Sequence, residues 1–128
     1  MEEVNWNEVK CMAEHKVSYP PSINHYWRRV GDRTLISRTG REYRERVAAE
    51  LAEQGVEMFD GRLGLFIRAF PPDRRRRDLD NILKALLDAL EHGGLFYDDS
   101  QIDHLEIVRD DVKPGGRVHL VLMLRFGK

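Results

Sequence analysis

The order of elements along the chain predicts an α+β domain, a small mixed β-sheet with two main helices packed against it. Two segments repeat apolar residues at the period of a helix face, while the remaining apolar runs are strand-sized and bounded by Pro, Gly or Asp. A length of 128 residues with 41% hydrophobic and 34% charged content suits one domain (1–128) that buries its own core.

Residues 1–12 form a weakly amphipathic extension that fits a strand or a short helix equally. HKVSY suits a short strand ending at Tyr19, because Pro20 and Pro21 cannot continue a ladder. Ser22 and Asn24 suit a turn, and after Gly31-Asp32 the stretch TLISRT suits a second strand. A helix is expected from Thr39 or Gly40 to Gln54. There Tyr43, Val47 and Leu51 stand at i, i+4 and i+8, Ala48 widens the stripe, and Gly55 can stop it. GRLGLFIRAF suits a buried strand stopped by Pro71-Pro72.

The strongest periodicity follows. Leu79, Ile82, Leu83, Leu86, Leu87 and Leu90 trace one helical face, with Asp80, Lys84, Asp88 and Glu91 on the polar side and Gly93-Gly94 as the stop. LFYDDSQ is then a loop, HLEIVR a strand, KPGGR a turn and VHLVLMLRF the last strand.

Composition removes several functional classes. The single cysteine, Cys11, can form neither an intrachain disulfide nor a cysteine-based zinc site. The five histidines lack zinc-ligand spacing, Ser37 has no patterned base, and the glycine pairs mark a helix stop and a turn rather than a phosphate loop. MEEVNWNEVK is too acidic and polar for a secretory signal, and VHLVLML is far short of a membrane span. The expected location is the cytoplasm, with no membrane partner. A net charge of −1 leaves nucleic-acid binding to be decided locally.

The local evidence is PDRRRRDLDN, residues 72–81, where four arginines abut two aspartates spaced i and i+2. Asp78 stands just before the leucine-rich helix and Asp80 in its first turn. One account is structural: Asp78 caps the helix, both acids complement its dipole, Lys84 pairs with Asp80 four residues on, and the arginines are solvated. The other is chemical. Carboxylates flanking a helix start, joined by Asp98 or Asp99 from the loop after the same helix, could hold Mg²⁺. Arg74, Arg75, Arg76 and Arg77 would then grip phosphates, and Lys84 would stabilise developing charge. Tyr26 and Trp27, beside Arg28-Arg29, could stack on an unpaired base, although a core role is expected for at least one of them.

PDRRRRDLDN, followed by Lys84 and Asp88, resembles the signature of RusA-type Holliday-junction resolvases. YPPSINHYWRR, FYDDSQI and KPGGR resemble further segments of that family, in the family's order, across about residues 17–126. The resemblance implies a Mg²⁺-dependent homodimer that resolves four-way junctions by paired symmetrical nicks in branched DNA. It implies Asp78, Asp80 and Asp99 as catalytic metal ligands, with Asp98 as a ligand or a turn-former. Lys84 would be the catalytic lysine, and Arg74 to Arg77 the DNA contacts. Two features depart from the family: the N-terminal extension, and a pI near 6.5, low for a DNA-binding enzyme. Clustering of Arg28, Arg29, Arg33, Arg38 and Arg41 with Arg74 to Arg77 on one face would accommodate the latter. The alternatives are a non-catalytic nucleic-acid-binding module, or a related nuclease preferring flaps or forks.

Overall fold

The computed structural model describes residues 11–124, so most of the N-terminal extension lies outside the described residues. A four-stranded sheet runs in the order β1 (Cys11–Val17), β6 (Arg117–Leu124), β4 (Leu63–Phe70), β5 (Ile102–Arg109). The β1–β6 and β6–β4 pairs are antiparallel and β4–β5 is parallel, so the sheet is mixed as expected. The parallel pair needs a crossover, which α3 (Leu79–His92) supplies. Between β1 and β4 the chain forms a helical turn α1 (Ile23–Tyr26), a hairpin of β2 (Trp27–Val30) and β3 (Arg33–Ile36), and the long helix α2 (Arg38–Glu53).

Alternation along the strands sets the core. Leu63, Leu65 and Ile67 of β4 and Val118, Leu120 and Leu122 of β6 are buried against Tyr43, Val47 and Leu51 of α2 and Leu86, Ala89 and Leu90 of α3. The buried face of α3 is turned from the leucine stripe expected. Ala85 and Ala89 are fully buried, while Leu83 and Leu87 are only partly so. Small side chains let the sheet and α2 approach that side closely, which leaves Leu87 to line a cleft.

Other boundaries differ from expectation: Asn24 lies in a helical turn, Trp27–Val30 is a strand where none was expected, β3 ends at Ile36, and β5 begins at Ile102 rather than His104. Two further shifts have local reasons. Strand β1 stops at Val17 rather than Tyr19, because Ser18 is diverted to α2. Its amide and hydroxyl donate to the Glu50 carboxylate at 2.9 and 2.8 Å, and its carbonyl accepts from the Tyr43 hydroxyl at 2.7 Å. Helix α2 starts at Arg38 because Ser37 caps it, accepting the Gly40 amide at 2.9 Å. Ser37 Oγ also donates to the Tyr26 carbonyl at 2.9 Å, tying the end of α1 to the start of α2. A side chain at Gly40 would meet that carbonyl at 2.4 Å, so glycine is needed for the close approach.

Candidate active site

Asp80 stands in the first turn of α3, where it complements the helix dipole, but the capping and ion-pairing jobs that local rules assign around it are not performed. Asp78 occupies the N-cap position with extended backbone (φ −87°, ψ 138°), yet its carboxylate caps no amide. Asp80 and Lys84 are exposed and form no ion pair with each other. Among the described residues, none of the side chains of Asp78, Asp80 and Lys84 takes part in a salt bridge or hydrogen bond.

At the other end of α3 the chain folds back through a 3-10 turn, Asp99–Gln101. Asp98 shapes this turn: its Oδ1 accepts the Ser100 amide at 2.9 Å, and its own amide donates to Gln101 Oε1 at 2.9 Å. The Ser100 amide and hydroxyl, together with Asp99, hold the Asp98 carboxyl below the usual carboxylate range. Gln101 pins the turn by donating to the carbonyls of Phe59 and Gly61 at 3.0 and 2.9 Å. Asp99 thereby faces the helix end, and its amide donates to Glu91 Oε1 at 3.1 Å.

Carboxylate oxygens of Glu91, Asp98 and Asp99 lie within 4.8 Å of one another, the only such metal-capable trio among the described residues. They line an open cleft of about 700 Å³ that Lys84 and Asp88 also line from α3, with Trp27 and Thr34 of the hairpin. An all-oxygen donor set of this size fits a hard divalent cation such as Mg²⁺, which keeps waters and phosphate oxygens in its remaining positions. Glu91 was not singled out as a ligand from the sequence. Its signal lay in helical phase, since 11 residues at about 100° each bring it within about 20° of Asp80 on the same face.

That phase also exposes a separation. Asp80 and Glu91 share a face of α3 but stand about 16 Å apart along its axis at 1.5 Å per residue. Oxygens sharing one Mg²⁺ sit only about 3–4 Å apart. The fold thus brings Lys84, Asp98 and Asp99 into one cleft, adds Glu91, and leaves Asp78 and Asp80 at the opposite end of the helix.

The four arginines divide into Arg77, which is held, Arg75, whose exposed guanidinium lies 3.9 Å from the Asp73 carboxylate, and Arg74 and Arg76, which reach outward. Arg74, Arg75 and Arg76 are exposed. The Arg77 side chain is 23% exposed and donates to Asp73 Oδ1 at 2.5 Å, with its guanidinium 5.8 Å from the Tyr19 ring centre. Hydrogen bonds from Arg77 and from the Arg75 amide pull the Asp73 carboxyl down to about 2. Arg109 donates to the Arg77 carbonyl from β5 and completes the brace. All four arginines, Asp78 and Arg109 wall a second hollow of about 410 Å³. Arg28, Arg29 and Arg33 are exposed on the hairpin, Arg38 pairs with Glu42 at 3.1 Å, and Arg41 donates to the Ile36 carbonyl at 3.3 Å.

The family described as Endodeoxyribonuclease RusA matches residues 18–122, most of the chain. The chain belongs to the RusA endodeoxyribonuclease family. It is 46% identical over 101 residues to the crossover junction endodeoxyribonuclease rusA of Enterobacteria phage HK97, covering 78% of this chain and 84% of that protein. To the protein of the same name from Enterobacteria phage 82 it is 40% identical over 108 residues, covering 81% and 88%. To that of Escherichia coli K12 it is 39% identical, with the same coverage.

One polar network braces the cleft of this RusA-family chain, and the sequence reading missed its purpose. Arg44 of α2 donates to both oxygens of Asp88, from Nε at 2.7 Å and from Nη2 at 3.1 Å, and also from Nε to the Tyr26 hydroxyl at 3.2 Å. The Tyr26 hydroxyl donates to Asp88. Burial and the Asp88 carboxylate push the Tyr26 phenol well above its usual range, so it stays a donor. Asp88 thus fastens α1 and α2 to α3. Of the two aromatics considered for stacking, Tyr26 is fully buried and Trp27 keeps a partly open surface at the cleft.

Proposed function

We propose that this RusA-family chain is a Mg²⁺-dependent homodimeric resolvase that cuts four-way DNA junctions by paired phosphodiester hydrolysis in recombination and repair. The observation that carries this reading is the polar face of α3. Asp78, Asp80 and Lys84 have no structural partner there, and the same helix ends at a trio of carboxylates. All three are exposed and engaged by no other side chain, which leaves them available to a ligand, and a metal–phosphate assembly meets both signs.

The roles follow from the chemistry of each group. Glu91, Asp98 and Asp99 would hold the cation through carboxylate oxygens. The ion, when bound, would supply Lewis-acid charge to the scissile phosphate and the attacking water. Lys84, exposed between the two acidic ends, would neutralise charge developing on the phosphate. Arg77 would meet the flanking backbone already oriented by Asp73, with Arg74, Arg75 and Arg76 as longer-reaching contacts.

The homodimer accounts for Asp78 and Asp80. Too far along α3 to share an ion with Asp99 of their own chain, they would meet Asp98 and Asp99 of a second copy. Two such sites related by a two-fold axis suit paired nicks on strands of matching polarity.

A synthetic four-way junction tests the proposal. Nicking is expected with Mg²⁺ and not with EDTA, and Asp80→Asn or Asp99→Asn alone should each lower the rate by roughly 100-fold or more. Mixed Asp80→Asn and Asp99→Asn subunits should recover single-strand nicking, because each heterodimer then contains one site with both acids intact. Junction binding without Mg²⁺-dependent nicking would reduce the chain to a binding module. Preferential cutting of flaps or forks would change the substrate, and absence of recovery on mixing would refute the shared site.

A further inference from the structure

The hairpin wall of the cleft has a chemistry that a metal site alone does not require. Trp27 and Thr34 line the cleft opposite Lys84, Asp98 and Asp99. Register pairs Trp27 with Ile36 and Arg29 with Thr34, so Trp27, Arg29 and Thr34 share one face of the two-stranded ribbon. That face runs from an apolar ring at its base to an exposed cation near its tip. The indole is held rigidly. The Tyr26 ring meets it edge-on at 5.1 Å and 73°, and the Arg44 guanidinium lies 6.0 Å from its centre, itself fixed by Asp88. Ile23 and Leu87 extend the apolar surface beside it.

A paired duplex presents phosphates and sugars to such a wall and gains little from an indole. A base displaced from its stack presents a flat π-face, which an immobilised aromatic ring accepts without regard to sequence. We propose that Trp27 stacks on a base unpaired at the branch point while the adjoining phosphate lies at the acidic side of the cleft, with Arg29 on the next phosphate. Trp27 is then the residue through which the cleft distinguishes branched DNA from linear duplex. It is a positioning residue and takes no part in proton or phosphoryl transfer. The inference rests on the endonuclease reading above.

The sequence has two tryptophans, so Trp6→Phe leaves Trp27 as the sole indole reporter. In EDTA, where no cutting competes, a four-way junction should quench its emission by about half or more, and a linear duplex of the same arm sequence far less. Trp27→Leu keeps an apolar side chain beside Tyr26 and Arg44 but cannot stack, whereas Trp27→Phe, also smaller than tryptophan, can. Junction affinity should fall about 10- to 100-fold in the leucine variant and within about 3-fold in the phenylalanine variant, with duplex affinity unchanged in both. Equal quenching by duplex and junction would overturn the proposal. So would a leucine variant that binds junctions as tightly as the phenylalanine variant, because packing alone would then explain the residue. Selective quenching of the Trp6→Phe chain on junctions, with no Mg²⁺-dependent nicking by that chain or the wild type, would uphold the stacking role and reject the enzymatic reading instead.

Discussion

Replacing Asp88 with alanine removes the carboxylate that joins three helices, and the structure sets the size of the effect. Two hydrogen bonds from Arg44 and one from Tyr26 lose their acceptor. The side chains of Arg44 and Asp88 are 24% and 27% exposed, so the pair is neither solvated nor fully buried. Exposed pairs contribute about 0–1 kcal/mol, and breaking a buried pair costs about 3–5 kcal/mol. The intermediate environment therefore points to a loss of about 2–3 kcal/mol. At an unfolding entropy near 2.1 cal/mol/K per residue, a chain of this length would melt about 7–11 °C lower. Glu42→Ala provides an internal control, because its partner Arg38 is 86% exposed and the pair should matter by less than about 0.5 kcal/mol. Urea unfolding with matched slopes, backed by calorimetry, measures both variants. An Asp88→Ala cost no greater than that of Glu42→Ala would refute the reasoning, and would show that the brace is drained by solvent.

Two further outcomes are expected. Gly40→Ala should destabilise by about 1–3 kcal/mol in urea unfolding, although helix propensity alone would predict a gain near 1 kcal/mol, because the new methyl would stand 2.4 Å from the Tyr26 carbonyl. The Asp73 carboxyl should titrate at about 2 by NMR and move upward in Arg77→Ala. Since its folded pKa lies below the unfolded one, the stabilisation from this contact is present above about pH 4 and is lost as pH falls through 2, and an unshifted titration would show that Arg77 is not held.

The arginine–aspartate stretch carried most of what was legible about the site. Its position against a strongly periodic helix placed Asp78 just before α3 and Asp80 and Lys84 on it, as observed, and the resemblance around it led to the family that the comparisons confirm. Sequence spacing could not show that Asp78 fails to cap, because capping depends on a side-chain rotamer and the path of the preceding chain. Glu91 was legible as a polar-face residue but not as a neighbour of Asp99, because that contact depends on the turn pinned by Gln101 to Phe59 and Gly61. Tyr26 and Trp27 were indistinguishable as adjacent aromatics. Only their opposite alternation on the folded chain sent one into the core and the other to the cleft.

By itself the sequence determined the main elements, namely two amphipathic helices, the longer strand-sized apolar runs, and the proline and glycine stops between them, but not the helical turn α1, the strand β2 or the 3-10 turn at Asp99–Gln101. These are decided by hydrogen bonds and side-chain phase within a few residues. The tertiary structure alone decided that the last strand enters between β1 and β4, that β4 and β5 run parallel, and that Asp80 and Asp99 stand at opposite ends of one helix. Those outcomes depend on burying apolar faces contributed by residues far apart in the chain, so no local pattern encodes them.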